Sequence, residues 1–299
     1  LPLSRGLGDV YKRQGLIAVH AEDEERMNER KKLVEGRTDI AAHAYYRDDI
    51  TALLATKLSV ELAIKTGHRL HILHLTSGIE ADYLADYCTL PSKAEQHPII
   101  TTEVLPQHLT FDETDVDEQG VRLQMNPPIR YAADREILWA RLRDGTIQCI
   151  ATDHAPHTLE NKAKGFPNAH SGMPGVETSL PVMLTNVNDG NCSLEDVVRW
   201  MSTDVADCYQ MIGKGKLEVG YDGDIVLVDM AAKAVVEDKN SWTRVGWNPF
   251  RGRELTGWPV LTVVDGIPVF ERSPVTGQKG RLLVEPGSVG KPIVMNPWN

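Results

Sequence analysis

Cysteine is scarce in this 299-residue chain. The four cysteines are scattered along the sequence and form no C-x-x-C motif; they are Cys88, Cys149, Cys192 and Cys208. Small secreted domains held together by disulfides need more cysteines at closer spacings, so the sequence does not indicate that class. Scattered cysteines are typical of reduced thiols, and we therefore expect a cytoplasmic protein.

Long apolar runs and an excess of positive charge are also missing. No apolar segment approaches the roughly 18 residues that span a bilayer, and no secretory apolar region stands at the start. The net charge is −10, with 32 Lys and Arg against 42 Asp and Glu, and no basic stripe is present. Nucleic acids and membranes are therefore poor candidate partners, and a small-molecule substrate is favoured.

The composition that remains predicts a sizeable core, since 41% of the residues are hydrophobic. From residue 15 to residue 212 the chain alternates between strand and helix patterns, which favours an α/β fold with a parallel sheet. Residues 50–66 predict a helix that ends at Gly67, because leucines recur every four residues within it. Those leucines are Leu54, Leu58 and Leu62. Residues 134–144 predict another helix, with Asp134 as its cap and Gly145 as its stop.

Three regions of the chain differ in residue composition and in hydrophobic periodicity. Residues 1–14 follow no clear period and contain proline and glycine, so we expect a non-native leader outside the fold. Residues 15–212 are the alternating β/α segment. Residues 213–299 are β-rich, with Asp-Gly turns, and predict a small β appendage with a tail.

Successive predicted strands end in polar side chains. These are His20, His74, the Glu103–His108 region and Asp153. Because the carboxyl ends of parallel strands meet on one face of a closed barrel, we expect them to converge. Two histidines and an aspartate suit Zn²⁺ or a similar first-row metal, which makes His20, His74 and Asp153 the candidate ligands. A single histidine at a strand end is more often structural, and Asp153 could instead cap a helix within a loop.

The chemistry follows from these groups. A bound metal lowers the pKa of its water towards about 7. Asp153 is then placed to act as general base and to pass the proton to a leaving nitrogen. Hydrolysis of an amide or imide is the predicted reaction, with Asp153 as the catalytic residue.

Five segments together resemble dihydroorotase, of the long bacterial type within the cyclic amidohydrolases. They are Val19-His-Ala-Glu-Asp23, His71-Ile-Leu-His-Leu-Thr-Ser77, Thr102-Glu-Val-Leu-Pro-Gln-His-Leu109, Met125-Asn-Pro-Pro-Ile-Arg130 and Ala151-Thr-Asp-His-Ala-Pro-His157. The resemblance covers essentially residues 15–272. It implies the C-terminal half of a metal-dependent (β/α)8 TIM-like barrel, plus part of a small β-sandwich.

The resemblance also implies roles for individual residues on the metal side. His20 and His74 would be ligands of one zinc ion and Asp153 a ligand of a second, so that a complete site would hold two Zn²⁺. His71 is expected to serve in packing.

On the substrate side, Asn126 and His157 would bind the carboxylate-bearing ring. Backbone groups at Ser171 and Gly172 would close over it. Simpler alternatives stay open, since Asn126 precedes two prolines and could only form a turn, and His157 could be a surface residue.

Departures from the family pattern are equally informative. The His-x-His pair with its arginine and the bridging carboxylated Lys or Asp are absent from the chain, and Gln107 replaces a histidine. The resemblance therefore implies an N-terminally truncated fragment, which we expect to be inactive without its missing half.

Two other functions remain open. One is a different cyclic amidohydrolase, such as an allantoinase or hydantoinase, although His157 and Asn126 argue against it. The other is a non-catalytic scaffold for aspartate transcarbamoylase. A homodimer and that association are the protein partners that the resemblance suggests.

Overall fold

The computed structural model describes residues 15–94, 99–273 and 279–295. The predicted leader, residues 1–14, lies outside these ranges. The strands are β1 (Ile17–Val19), β2 (Leu70–Leu75), β3 (Ile100–Val104), β4 (Cys149–Ile150), β5 (Ile225–Val235), β6 (Glu254–Val264), β7 (Ile267–Glu271) and β8 (Arg281–Leu282). The helices are α1 (Glu24–Lys31), α2 (Ala41–Tyr46), α3 (Asp49–Thr66), α4 (Gly78–Leu84), α5 (Glu113–Gln119), α6 (Ala132–Asp144), α7 (Leu159–Lys162), α8 (Ser179–Asn188), α9 (Leu194–Val198) and α10 (Asp204–Cys208).

The first four strands form one parallel sheet in the order β1-β2-β3-β4. One face of this sheet, which includes Ile72 and Ile100, packs against apolar side chains of α3, α4 and α6 in a continuous core. A parallel sheet covered by crossover helices is the arrangement that the alternating pattern predicts. The polar strand ends consequently lie at the carboxyl edge of a single sheet.

Helix α3 has the predicted length but not the expected buried face. It begins after the N-cap Asp48 and ends at Gly67, whose φ of 68° is readily adopted by glycine. The three leucines that predict the helix point to solvent, with 43–50% of their surfaces exposed. The face towards the sheet carries Thr51, Ala52, Thr56, Val60 and Ala63 instead.

The ends of two other helices refine the sequence prediction. Asp134 lies at the third position of α6 rather than at its cap, which is Tyr131, and its carboxylate accepts from the Tyr131 backbone N–H (3.3 Å). Gly145 ends α6 as predicted, with a φ of 88°. Ser193 caps α9 in a reciprocal capping box with Asp196.

The later strands form an antiparallel sheet in the order β5-β6-β7-β8. The predicted Asp-Gly turn joins β6 to β7, since Asp265 and Gly266 both have positive φ. A second apolar cluster unites Trp247 and Phe250 of this region with Phe111 and Met125 of the preceding segment. The division at residue 213 stays a prediction. Within the described residues, no helix is both long enough and apolar enough to cross a bilayer.

Candidate metal and substrate site

The histidines of the first two strands meet at the carboxyl edge of the sheet. His20 directly follows β1, and His74 is the penultimate residue of β2. The His20 Nδ1 atom is 3.0 Å from the His74 Nε2 atom, and the rings meet edge to face. Two nitrogen ligands at the usual Zn–N distance of about 2.0–2.1 Å lie about 3.3 Å apart in tetrahedral geometry. The spacing of this pair therefore resembles that of two ligands of one ion.

Backbone strain marks the same strand ends. His74 has a φ of 37° and Asp153, just after β4, has a φ of 41°. A left-handed conformation in a residue other than glycine costs roughly 1–2 kcal/mol, and such residues cluster at functional sites. Two of the three predicted metal ligands thus have unfavourable backbone conformations.

His74 is buried and keeps a free nitrogen. Its side chain is enclosed, and its Nδ1 atom has no hydrogen-bond partner within the described residues. Burial and the neighbouring His20 lower the pKa of His74, while the charge of Asp153 partly offsets that effect. His74 is therefore held neutral, the form in which imidazole binds a metal.

A buried carboxylate holds the other side of His20. The Glu22 Oε2 atom lies 2.7 Å from the His20 Nε2 atom and also pairs with the Arg47 guanidinium. Burial raises the pKa of Glu22, but the hydrogen bond to His20 and the charge of Arg47 outweigh it and leave the pKa below its ordinary value. Glu22 is thus an anion, and the sequence pattern gives it no role.

Next to the pair, the buried His71 packs against the Tyr209 ring and also joins a polar network. The fully buried His71 ring bonds to the Thr101 hydroxyl (2.7 Å) and to the Glu103 carboxylate (3.1 Å). The second oxygen of Glu103 accepts from the backbone N–H of His74 (3.4 Å). The carboxylate therefore braces the strained strand end. Burial lowers the pKa of the nearby His108 to about 3, so this imidazole is neutral as well.

The three predicted ligands, His20, His74 and Asp153, do not come close enough together to form a complete metal site within the described residues. Over the described residues, no group of three or more His, Cys, Asp and Glu side chains is gathered closely enough to hold a metal ion. The structure brings His20 and His74 together and leaves Asp153 half-buried at the same edge of the sheet. The donor types and the two facing imidazole nitrogens fit part of a metal site.

Asn126 lies between the residues around His20 and the predicted substrate loop, because its amide contacts both Arg47 and Ser171. In the orientation that pairs donors with acceptors, its amide nitrogen donates to His43 and to the Ser171 hydroxyl (3.1 Å each). Its oxygen accepts from Arg47 (3.3 Å). Arg47 therefore contacts both the Glu22 carboxylate and Asn126.

His157, Ser171 and Gly172 lie within one bonded loop. The His157 Nε2 atom donates to the Ser171 carbonyl (3.1 Å), and the Gly172 N–H donates to the Gln124 carbonyl (2.8 Å). Gly172 has a φ of 130°, and a Cβ atom there would lie 2.5 Å from the Ala155 carbonyl oxygen. Only glycine fits this close approach.

Lys162 is a buried cation beneath this loop that the sequence pattern did not reveal. Its ammonium group donates to the carbonyls of Gln124 and His170 (3.0 Å each). Burial lowers its pKa to about 8. Burial, together with the charge of Lys162, also lowers the pKa of His157, which favours the neutral imidazole.

Imidazoles at the carboxyl edge of a parallel sheet occupy the position at which (β/α)8 barrel enzymes place their active sites. The amidohydrolase family profile matches residues 10–269, and the chain belongs to this family. The family is in general metal-dependent, and the predicted fold class is confirmed.

Individual relatives are similar over most of the chain. A dihydroorotase from Methanosarcina mazei is 31% identical over 277 residues, which cover 92% of this chain and 60% of that protein. A dihydroorotase from Halobacterium salinarum is 34% identical over 268 residues, or 89% of this chain and 60% of that protein. The L-hydantoinase structure from Arthrobacter aurescens matches with a TM-score of 0.81 and 31% identity, covering 90% of this chain and 58% of that one. The resemblance to dihydroorotase is confirmed, and the chain spans about 60% of the length of these curated relatives.

Proposed function

We propose that this chain carries part of a dihydroorotase, which reversibly hydrolyses the cyclic amide of dihydroorotate to N-carbamoyl-aspartate in pyrimidine biosynthesis. The observation that carries the proposal is the match of about nine tenths of the chain to curated dihydroorotases. In support, the motifs that resemble dihydroorotase contain His20, His74, Asn126 and His157, and the His20 and His74 side chains lie 3.0 Å apart.

We propose zinc as the metal, with His20 and His74 as ligands of one ion and Asp153 as a ligand of a second. A bound Zn²⁺ would supply a water of lowered pKa and would polarise the carbonyl under attack. His20 and His74 would supply imidazole nitrogens to this ion, from two rings whose facing nitrogens lie 3.0 Å apart. Asp153 accepts a proton at its carboxylate and returns it to the ring nitrogen that leaves.

The loop residues recognise the substrate. Asn126 offers an amide at the boundary between the histidine pair and the loop, with Arg47 beside it as a cation for the substrate carboxylate. The backbone groups of Ser171 and Gly172 are already bonded inside the protein. Closure over the substrate therefore requires these bonds to be exchanged for bonds to the ring.

A substrate panel tests this proposal. The zinc-loaded chain is mixed separately with dihydroorotate, hydantoin, dihydrouracil and allantoin, and binding of each ring is measured by calorimetry, because we expect the chain to be inactive without its missing half. The Asp153→Asn variant, which lacks the proposed general base, measures binding apart from any residual turnover. Recognition of dihydroorotate alone supports the proposal, and preference for a ring without a carboxylate contradicts it.

A second candidate is a hydantoinase-type cyclic amidohydrolase. The 31% identity to the Arthrobacter L-hydantoinase structure favours it. So does Gln107, whose amide donates to the Thr152 carbonyl (2.9 Å) where the dihydroorotase pattern carries a histidine. Tighter binding of hydantoin than of dihydroorotate in the same panel decides for this candidate.

Partners and location are part of the proposal as well. A homodimer, or association with aspartate transcarbamoylase, follows from the dihydroorotase assignment, as does a cytoplasmic location. If the chain binds aspartate transcarbamoylase but recognises no ring in the panel, the scaffold role is favoured over catalysis. Co-elution of the chain with the transcarbamoylase on size exclusion measures that association.

A further inference from the structure

Glu22 occupies an unusual position for a carboxylate. Its side chain is wholly buried, although it lies only two residues after His20, whose side chain is 42% exposed. One of its oxygens, Oε2, contacts both His20 and Arg47, and the other, Oε1, is buried without a partner among the described residues. Burying a carboxylate is costly unless it is paired, so the contacts with His20 and Arg47 must compensate.

The contact with Glu22 decides which nitrogen of His20 carries the proton. An ionised carboxylate can only accept, so the His20 Nε2 atom must donate across the 2.7 Å contact. In a neutral ring the Nδ1 atom is then bare. That is the atom 3.0 Å from His74, on the side where the metal would bind.

Arg47 fixes the carboxylate in turn. One terminal nitrogen of Arg47 pairs with Glu22, its Nε atom donates to the Tyr46 hydroxyl (3.1 Å), and its other terminal nitrogen reaches Asn126 (3.3 Å). With these three contacts the guanidinium has little freedom to turn away. The bonds run continuously from the histidine pair to the residue proposed to hold the substrate.

We propose that Glu22 is a positioning residue, which holds His20 as the Nε2–H tautomer and so presents its Nδ1 lone pair to the metal, with Arg47 holding Glu22 in place. The metal part of this inference rests on the proposed function, whereas the tautomer part does not. Outer partners of this kind typically change metal affinity by about 10- to 100-fold.

Two readouts test the proposal on the full 299-residue chain. The first is ¹⁵N NMR of the imidazoles without metal, at about pH 8, above the ordinary histidine pKa of about 6.5. Protonated and bare ring nitrogens resonate in separate regions, and the His20 signals are assigned by their loss in His20→Gln. The second is zinc affinity, measured by competition with a chromophoric chelator.

The variants are Glu22→Ala and, as a control that removes the same charge from an exposed site, Glu25→Ala. We expect the wild-type His20 to be protonated at Nε2. We expect Glu22→Ala to mix the two tautomers and to weaken zinc binding by about 10- to 100-fold. Glu25→Ala should change neither property.

A wild-type His20 protonated at Nδ1 overturns the proposal, and so does a folded Glu22→Ala chain with unchanged tautomer and zinc affinity. If Glu22→Ala does not fold, the wild-type tautomer alone decides. A wild-type chain that binds no zinc contradicts the proposed metal site, while the NMR result still decides the role of Glu22.

Discussion

The histidine pair and the loop cluster lie side by side but differ in how their polar groups are satisfied. The histidine pair is His20 and His74; the loop cluster is Asn126, His157, Lys162, Ser171 and Gly172. In the pair, the buried His74 Nδ1 atom has no hydrogen-bond partner in the part of the chain that the structure describes, and the His74 backbone is strained. In the loop cluster, side chains and backbone groups bond to one another.

This difference separates two tasks within one site. Lone pairs kept free of protein donors are available to a ligand, and leaving them unpaired costs stability. A loop whose polar groups bond to one another is rigid and stabilises the protein. Such a loop gives the binding site its shape but offers a ligand few unpaired donors and acceptors. We therefore expect changes in the loop cluster to alter folding stability, and changes in the pair to alter metal binding with little loss of stability.

The largest expected effect is that of Gly172→Ala. The new Cβ atom would meet the Ala155 carbonyl and Cβ atoms at 2.5 and 2.9 Å, at a φ that alanine rarely adopts. Backbone strain and overpacking together predict a loss of about 2–5 kcal/mol in the free energy of unfolding. Urea unfolding measures it. Gly190→Ala is the matched control, because Gly190 also has positive φ but open space around it, and it should cost only about 1 kcal/mol.

Lys162→Met should reveal a pH-dependent contribution from the loop cluster. The pKa of Lys162 is about 8 in the folded chain, against an ordinary value of 10.5. Between these values the unfolded chain binds a proton that the folded chain does not, so the stability contributed by Lys162 rises with pH. Between pH 8 and pH 10.5, the free energy of unfolding of the wild type should therefore rise by up to about 3 kcal/mol relative to that of Lys162→Met.

Urea unfolding across this pH range checks the expectation, with the exposed Lys164→Met as control. A constant difference between wild type and Lys162→Met would show that the ammonium group is not desolvated by the loop.

His74→Ala should weaken metal binding without a comparable loss of folding stability. We expect zinc affinity to fall by at least about 100-fold, because a direct ligand should matter at least as much as an outer partner. Chelator competition measures the affinity, and unfolding in the absence of metal should show only a small change in stability. His68→Ala, at the opposite end of β2, is the control and should bind zinc as the wild type does.

Ser171→Ala should give the smallest effect. The variant removes a hydroxyl that accepts from Gln124 (3.1 Å) and from Asn126 (3.1 Å). We expect a loss of about 1 kcal/mol in unfolding free energy and no change in zinc affinity. A change in zinc affinity would contradict the expectation that the loop cluster affects folding stability and not metal binding. Ser92→Ala, at an exposed position, is the control for thermal unfolding.

The sequence predicts those parts of the site that follow from local pattern. Strand ends are visible where an apolar run stops at a polar residue, which is how His20, His74 and Asp153 are found. Helix ends are visible where a glycine follows a periodic segment, as at Gly67 and Gly145. The convergence of these strand ends follows from a general rule of parallel sheets.

What the sequence leaves open depends on tertiary packing. The period of Leu54, Leu58 and Leu62 predicts a helix but not the face that it buries. The sheet is covered by the smaller Thr51 and Ala52 side chains, which allow a close approach. Glu22 and Lys162 look like ordinary surface charges, because only residues distant in sequence, Arg47 and Gln124, give them buried partners.

X-ray absorption spectroscopy of the chain loaded with one equivalent of zinc shows whether paired histidines hold a metal at the carboxyl edge of this sheet. We expect ligand atoms at about 2.0–2.1 Å from the zinc that include two imidazole nitrogens, with one imidazole lost in His74→Ala. Water oxygens alone, or a sulfur atom at about 2.3 Å, would show that the two histidines do not bind the metal.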